Sequence, residues 1–299
     1  MFDISSKSDT LRQATAQAIV KASSTTITLI KDGKSPKGSI VDAARLAATM
    51  ATKRTSDLIP YCHPIPIDHV KVDVSIKEES IEVAVQVKSI WHTGVEMESL
   101  TGAAIASLTI YDMLKPIDES LSIESIRLIE KKGGKKDFYE NYSRRLKAAV
   151  LVTSDSRGKK EDQSGKVVIN KLEKEFDIVD YKVIPNNTNL ICSEIIRFCD
   201  ELKVDIVITS GGTGVGPHDN TPDATKKIID KEVIGVSEMI RAYGQKRTPL
   251  SMLSRGLVGV RGNTLIINLP GSVRAVSESL DSLFPGILHI FKMLWGHKH

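Results

Sequence analysis

The 299-residue chain is poor in aromatic residues, at 5%, and in cysteine, with three: Cys62, Cys192 and Cys199. With so few stacking side chains and a formal net charge of only +4, no nucleic-acid partner is expected, since such surfaces combine clustered Lys and Arg with aromatics. The cysteines are odd in number and lack any CxxC spacing, which argues against a disulfide framework and a structural zinc site. A reducing compartment is the simplest reading. Residues 1–7 contain no apolar h-region, so no signal peptide is expected. The most apolar late stretch, residues 283–295, is broken by Pro285, His289 and Lys292 and is too short for a bilayer. Its apolar residues recur at helical spacing, as in a core or subunit-interface helix. The chain is expected in the cytoplasm, with no membrane partner.

Hydrophobic residues make up 41% and charged residues 26%, an ordinary globular balance, and the length suits two domains. The first half reads β-α-β-β-α-β. Residues 10–22 include a strand, and Ser39 opens a helix-like run over 40–48 rich in good helix formers. Residues 70–76 and 81–87 alternate as an antiparallel hairpin. Residues 95–114 form a second helix, and 121–129 alternate again. That order suggests an α+β, ferredoxin-like domain: one sheet backed by two helices. The lysine-rich, glycine-containing segment 131–137 and the charged stretch after it read as a domain end and a linker. The expected boundaries are 1–138, a linker over 139–146, and 147–299. In the second half, buried strands over 148–152, 205–209 and 264–269 alternate with helices over 165–176 and 190–202, with a further strand over 178–184. This is a three-layer α/β domain with a mainly parallel sheet.

Four features of the first half can carry chemistry. Lys37-Gly38 precedes a helix, where a lysine either faces solvent or reaches a phosphate at the helix N-terminus. Ile59-Pro60-Tyr61-Cys62-His63-Pro64-Ile65-Pro66 is stiffened by three prolines. It is either a structural turn or a rigid mount for Cys62 and His63. In Glu96-Met97-Glu98 the carboxylates complement a helix N-terminus, and one of them can instead read paired N–H donors of a guanine or pterin edge. Asp112 and Lys115 share a helix face at i and i+3, as an exposed ion pair or, if buried, a proton-transfer couple.

Taken together with Lys53-Arg54-Thr55, the run from Leu108 to Lys115, and Lys132-Gly133-Gly134-Lys135, these strings resemble the cyclic pyranopterin monophosphate synthase (MoaC) family over residues 1–137. The resemblance implies conversion of a cyclised dihydro-GTP to cyclic pyranopterin monophosphate with release of pyrophosphate. It implies Asp112 as the main acid/base residue with Lys115 as partner, Lys37 at the triphosphate or in proton transfer, and His63 in the site. Tyr61, Cys62, Glu96, Met97 and Glu98 would line the site. No metal or organic cofactor is implied for this step, and a homo-oligomer is. His92 stands where relatives commonly have lysine or arginine.

In the second half, Ser210-Gly211-Gly212-Thr213-Gly214 follows a buried strand and can offer backbone N–H groups to an anion, or is simply a tight turn. It is not a Walker A loop, since no Gly-Lys-Ser/Thr follows. Asp219 can face a phosphate through Mg²⁺. Thr221 reads as an N-cap with Pro222 at the first helical position. Pro270-Gly271-Ser272 and the loop over 153–158 end two further strands, so three loops are expected along one crevice. Together with Asp162 to Gly165, Asp219 to Thr225 and Leu253-Ser254-Arg255, these strings resemble the molybdopterin-binding MoaB/MogA family over about residues 147–294. The resemblance implies adenylylation of molybdopterin with Mg²⁺ and ATP, Asp219 carrying the metal or acid role. Ser210, Gly211, Gly212, Thr213, Gly214, Asp223 and Ser272 would hold substrate. Where relatives carry an aspartate after the second strand, this chain has Asn186 and Asn187, which leaves open a non-catalytic pterin-binding or oligomerisation module.

Overall fold

The computed structural model describes residues 1–155 and 158–296. Ser156 and Arg157, expected in the first strand-end loop, lie outside the described residues. The chain divides into two units, Met1–Asp137 and Phe138–His299. Among the described residues no helix is long and apolar enough to cross a membrane.

The first unit runs β1 (Thr10–Lys21), α1 (Ser24–Lys31), α2 (Ile40–Lys53), α3 (Thr55–Leu58), β2 (His69–Ile76), β3 (Ser80–Trp91), α4 (Glu96–Leu114) and β4 (Ser122–Lys132). The sheet order is β2-β3-β1-β4, antiparallel throughout. Alternation decides which face is covered: Ala14, Ala16, Ala18 and Val20 of β1 and Ile81, Val83, Val85 and Val87 of β3 are buried under α2 and α4. The two helices can cross closely because α4 carries Gly102, where a Cβ would fall 2.5 Å from Thr52 Oγ1 of α2. Helix α1 is absent from the sequence reading. Its Thr- and Ile-rich run is a poor intrinsic helix, fixed by local bonds: Ser23 Oγ accepts from Thr26 N, and Ser23 N donates to Asp118 Oδ2 at 2.8 Å.

The second unit runs β5 (Leu146–Thr153), α5 (Gln163–Leu172), β6 (Phe176–Ile184), α6 (Thr188–Ile196), β7 (Ile206–Ser210), α7 (Thr221–Lys226), β8 (Lys231–Glu232), α8 (Ile234–Gln245), β9 (Val258–Arg261), β10 (Thr264–Leu269), α9 (Val273–Leu283) and α10 (His289–Leu294). The sheet order is β6-β5-β7-β10-β9-β8; the first four strands are parallel, and β9 runs antiparallel to both its neighbours, β10 and β8. Strand β5 feeds both layers. Ala148, Val150 and Val152 join a core with α5 and α9, while Ala149 and Leu151 join another with α6 and α7.

Four local expectations are corrected. Phe176 opens β6 rather than closing a helix, because its ring is needed in the core, edge-on to Phe284 and Phe291. The helix expected over 190–202 is α6 followed by a π-helical turn, Arg197–Glu201. Residues 283–295 are not one helix: α9 ends at Leu283, and a 3₁₀ turn (Gly286–Leu288) precedes α10. Residues 139–146 do not behave as a free linker. Tyr142 donates its hydroxyl to Leu288 O, Glu140 pairs with His289 and Lys292, and Arg144 grips Asp205 with two bonds of 2.7 Å. Charge made this segment look solvated, but Arg144 answers the buried Asp205 and Glu140 is paired with His289 and Lys292.

Asp205 is 4% exposed and also accepts from Lys147 N. Arg144→Ala should leave that carboxylate without its cation and destabilise the second unit by roughly 2–4 kcal/mol. Urea denaturation of the full chain would show the loss, and a shift within experimental error would mean that Lys147 N suffices.

Candidate active sites

In the first unit, two groups of expected residues are assembled. Lys37, from the loop before α2, donates to Asp112 Oδ2 and to the Asp112 carbonyl, both at 2.8 Å. Lys115 Nζ lies 2.8 Å from Asp112 Oδ1. Each carboxylate oxygen therefore has its own ammonium. The bond from Lys115 and then that from Lys37 hold the Asp112 carboxyl down at about 2, and Asp112 in turn raises Lys115. The three side chains are exposed, unlike the buried couple that would shift both groups by desolvation.

The second group surrounds Glu98. Its carbonyl accepts from Thr52 Oγ1 at 3.2 Å, so the close α2–α4 crossing fixes its position. The carboxyl is buried and its Oε2 has no hydrogen-bond partner. Burial is the main cause that lifts Glu98 to about 7; a backbone hydrogen bond opposes the rise and the charge of Glu96 adds to it. Cys62 lies close enough that burial and then the Glu98 charge both raise its thiol. The proline segment is fastened to β3: Ser89 Oγ donates to Pro66 O at 2.6 Å, and Ile90 N to Asp68 Oδ2 at 2.7 Å. Ile65 and Ile67 pack on the core. This mount leaves Cys62 and His63 half-buried and Tyr61 80% exposed. Glu96 folds back toward Lys131, 3.5 Å away, and Met97 is partly exposed.

Arg12 was not among the expected residues. It is buried on β1, with Nε donating to Trp91 O and Nη2 to His92 O at 3.4 and 3.5 Å. Burial lowers its affinity for the proton, and the charges of Glu96 and Asp137 offset that. The available signal was phase: Arg12 shares the inward alternation of Ala14, Ala16 and Ala18.

In the second unit, the ends of β5, β6, β7 and β10 converge, as ligand crevices of open α/β sheets do. Gly211 has φ +101°, and a Cβ there would fall 2.4 Å from Thr153 O. Its N donates to Leu269 O at 3.1 Å, and Ser210 Oγ donates to Pro270 O at 3.0 Å. Thr153 and Thr221 hydroxyls meet at 3.1 Å. Asn186 donates its backbone N to Asp155 Oδ1 at 2.8 Å and its amide to Oδ2 at 3.3 Å. Asn220, not Thr221, is the N-cap of α7, without a side-chain cap bond; the Thr221 hydroxyl is engaged with Thr153 instead. Ser272 caps α9, accepting from Ala275 N. Asp219 Oδ2 accepts from Gly216 N at 2.8 Å. Asp223 is taken up by Arg255 in a fork of 3.1 and 2.9 Å, which holds it below the usual carboxylate range. The same guanidinium donates to Gly214 O at 2.8 Å and to Asp219 O, and Arg255 N donates to Thr213 O.

Among the described residues, no group of three or more His, Cys, Asp or Glu side chains is arranged to hold a metal ion. The carboxylates at the crevice, Asp219 and Asp155, suit an ion such as Mg²⁺ that brings most of its ligands as phosphate oxygens and water.

Residues 1–134 match the MoaC family, and residues 149–289 match the family described as "Probable molybdopterin binding domain". The chain is 37% identical over its full length to the molybdenum cofactor biosynthesis bifunctional protein of Chlorobaculum tepidum, covering 96% of it. It is 31% identical, again over its full length, to the protein of that name from Synechococcus elongatus, covering 98%. Over 48% of this chain it is 45% identical to 91% of the cyclic pyranopterin monophosphate synthase of Peptoclostridium acidaminophilum.

Glu98 yields a prediction independent of any substrate. A carboxyl raised from 4.5 to about 7 binds its proton more tightly in the folded chain. Folding carries no penalty below the unfolded value, and stability falls as the pH rises from there to about 7. Glu98→Gln should leave stability unchanged near pH 4 and raise it near pH 8 by roughly 1–3 kcal/mol. Denaturation at both pH values checks this; an equal effect at both would rule out the buried charge as the cause.

Proposed function

Because this chain belongs to the family of bifunctional molybdenum cofactor biosynthesis proteins, we propose that its first unit is a cyclic pyranopterin monophosphate synthase and its second binds and adenylylates molybdopterin. The observation that carries the first assignment is the Asp112 carboxylate held between two ammonium groups. Converting a cyclised dihydro-GTP to cyclic pyranopterin monophosphate and pyrophosphate requires proton transfers beside a highly charged triphosphate. Asp112 is ionised throughout the neutral range and can accept a proton, and Lys115 can return one. Lys37 and Lys115 both present positive charge where phosphate must sit. Glu98, poised near neutrality, can accept from the N–H donors of a guanine or pterin edge when ionised. His63, Cys62, Tyr61, Glu96 and Met97 would supply further substrate contacts near the start of α4. No cofactor enters this step. The sheet order β2-β3-β1-β4 with two helices on one face supports a ferredoxin-like class for this unit.

In the second unit, the loop Ser210 to Gly214 and Ser272 would cradle pterin and phosphates. Asp219 would approach Mg²⁺ carried on ATP, a charge that stabilises the displaced pyrophosphate. Asn186 does not remove negative charge from the crevice, because it fastens the carboxylate of Asp155 beside itself. The neutral amide at Asn186 also favours a second reading: pterin binding or assembly without adenylylation. Exposed Leu58, Ile90 and Leu108 in the first unit, and Leu250 and Met252 in the second, support a homo-oligomer.

Asp112→Asn and Lys115→Ala should each lower the formation of cyclic pyranopterin monophosphate by about 100-fold or more, measured with cyclised dihydro-GTP as substrate. Unchanged turnover in both would sink the catalytic assignment. For the second unit, molybdopterin, Mg²⁺ and ATP should yield adenylylated molybdopterin and pyrophosphate, and Asp219→Ala should abolish both. Tight molybdopterin binding with no adenylylation would leave the non-catalytic reading.

A further inference from the structure

Helix α4 brings Glu96, Met97 and Glu98 to the first unit's site, yet its start has no side-chain cap: Val95 stands at the N-cap and makes no capping bond. The aim of these residues therefore depends on how the preceding turn, residues 92–95, is fastened. One fastening is Arg12 of β1, whose Nε and Nη2 donate to Trp91 O and His92 O at 3.4 and 3.5 Å, long for such bonds. Another is shorter: His92 Nδ1 lies 2.8 Å from Asp9 Oδ1. The two side chains are 26% and 30% exposed, so solvent screens this pair less than one at the surface.

Asp9 and His92 extend the β1–β3 ladder by one cross-strand pair beyond Thr10 and Trp91, where opposite charges attract. The chain bends just past them. A Cβ on Gly94 would fall 1.9 Å from Glu96 Oε2, so the Glu96 carboxylate lies directly on this turn. The charges around the imidazole are Asp9 across the strand end and Arg12 at the His92 carbonyl. Beyond them, the charges of Glu96 and Asp137 act on Arg12, and Lys131 pairs with Glu96. Among these residue types, histidine is the one that ordinarily changes charge between about pH 5 and 8.

We propose that His92 is a positioning residue of the first unit's site: as an imidazolium paired with Asp9 it fixes the turn that aims Glu96, Met97 and Glu98, and so makes substrate affinity depend on pH. The proposal rests on the reading of this unit as a cyclic pyranopterin monophosphate synthase. His92 acts through the turn rather than on the substrate, so its loss falls on KM. The proton transfers stay with Asp112 and Lys115. On the acid side the pair is charged and the turn is held. On the alkaline side the imidazole is neutral, Asp9 loses this cation, and the turn loosens. A lysine at position 92 keeps its charge throughout and removes the dependence.

The test is turnover of cyclised dihydro-GTP by the full chain from about pH 5.5 to about pH 8.5, with Trp91 fluorescence alongside. The Trp91 and His92 ring centroids are 4.6 Å apart, so protonation of the imidazole quenches the indole. The chain has two tryptophans, and Trp295→Phe leaves Trp91 to be read by itself. Over this range the wild-type KM should rise roughly threefold to fivefold more than that of His92→Lys. His92→Gln should show the raised KM at every pH, and Asp9→Asn should match it, which keeps the test decisive if one of the two does not fold. The acid quenching of Trp91 should vanish in His92→Lys. Glu98 titrates in all of these chains, so the difference between wild type and His92→Lys isolates His92. Identical KM profiles in wild type, His92→Lys and His92→Gln would overturn the proposal and leave the synthase reading intact. A Trp91 transition that persists in His92→Lys, or a fall in kcat at unchanged KM in His92→Gln, would overturn it as well. A wild-type chain that does not turn over cyclised dihydro-GTP would remove the proposal together with the reading on which it rests.

Discussion

A carboxylate withdrawn from water must be compensated by a cation or by hydrogen-bond donors, or else take up a proton. Both units are organised around how that demand is met. Asp205 is compensated in full by the Arg144 fork and Lys147 N, and it fastens the start of β5 to the start of β7. Asp223 is compensated by Arg255, and it fastens the glycine loop. Asp112 is compensated twice over but remains in contact with solvent, so its charge is available to an incoming substrate. Glu98 is compensated least: one of its oxygens has no partner, and its titration moves to the neutral range. The fully paired Asp205 and Asp223 hold the second unit together, whereas Asp112 keeps its charge at the surface and Glu98 keeps an oxygen without a partner.

The same criterion separates the candidate site of the MoaC domain from that of the molybdopterin-binding domain. In the first, the crossing of α2 and α4 holds the buried side chain of Glu98. In the second, backbone loops at the ends of parallel strands present N–H groups, and carboxylates stand at the margin. A side-chain site needs a rigid mount, supplied by the prolines around Cys62 and His63 and by their bonds to β3. A backbone site needs close packing of loops, supplied where Gly211 meets Thr153 and Leu269.

Much of this was legible in the sequence, for reasons that differ by residue. Strict alternation in β1, β2 and β3 and the unbroken apolar runs of β5, β7 and β10 gave those strands, because burial on one or two faces is written directly into side-chain polarity. Lys37, Asp112 and Lys115 were expected together, and the structure joins them, although 75 residues separate the first two. What escaped depends on tertiary partners. Helix α1 is imposed on β-branched residues by Ser23 and Asp118. Phe176 is drawn into a strand by an aromatic core. The segment 139–146 looked like solvent-facing chain until its charges met Asp205, His289 and Lys292 and the Tyr142 hydroxyl met Leu288 O. Arg12 was hidden because a single charged residue in a buried alternation reads as noise until its carbonyl partners are seen.

Preorganisation follows from the way Arg255 is spent. One guanidinium ties the carbonyls of Gly214 and Asp219 to the carboxylate of Asp223, and the Arg255 backbone N adds Thr213 O. The loop from Thr213 to Asp223 is thereby fixed before any ligand arrives, so binding there need not repay the entropy of ordering it. Asp219 is held by its backbone and by Gly216 N at one carboxylate oxygen, rather than neutralised by the arginine next to it. Had Arg255 paired with Asp219 instead of Asp223, the glycine loop would present no unpaired carboxylate to the crevice, leaving Asp155 alone there. The choice of Asp223 as the structural partner keeps the Asp219 carboxylate out of the Arg255 fork while the Asp219 carbonyl is fixed by the same guanidinium.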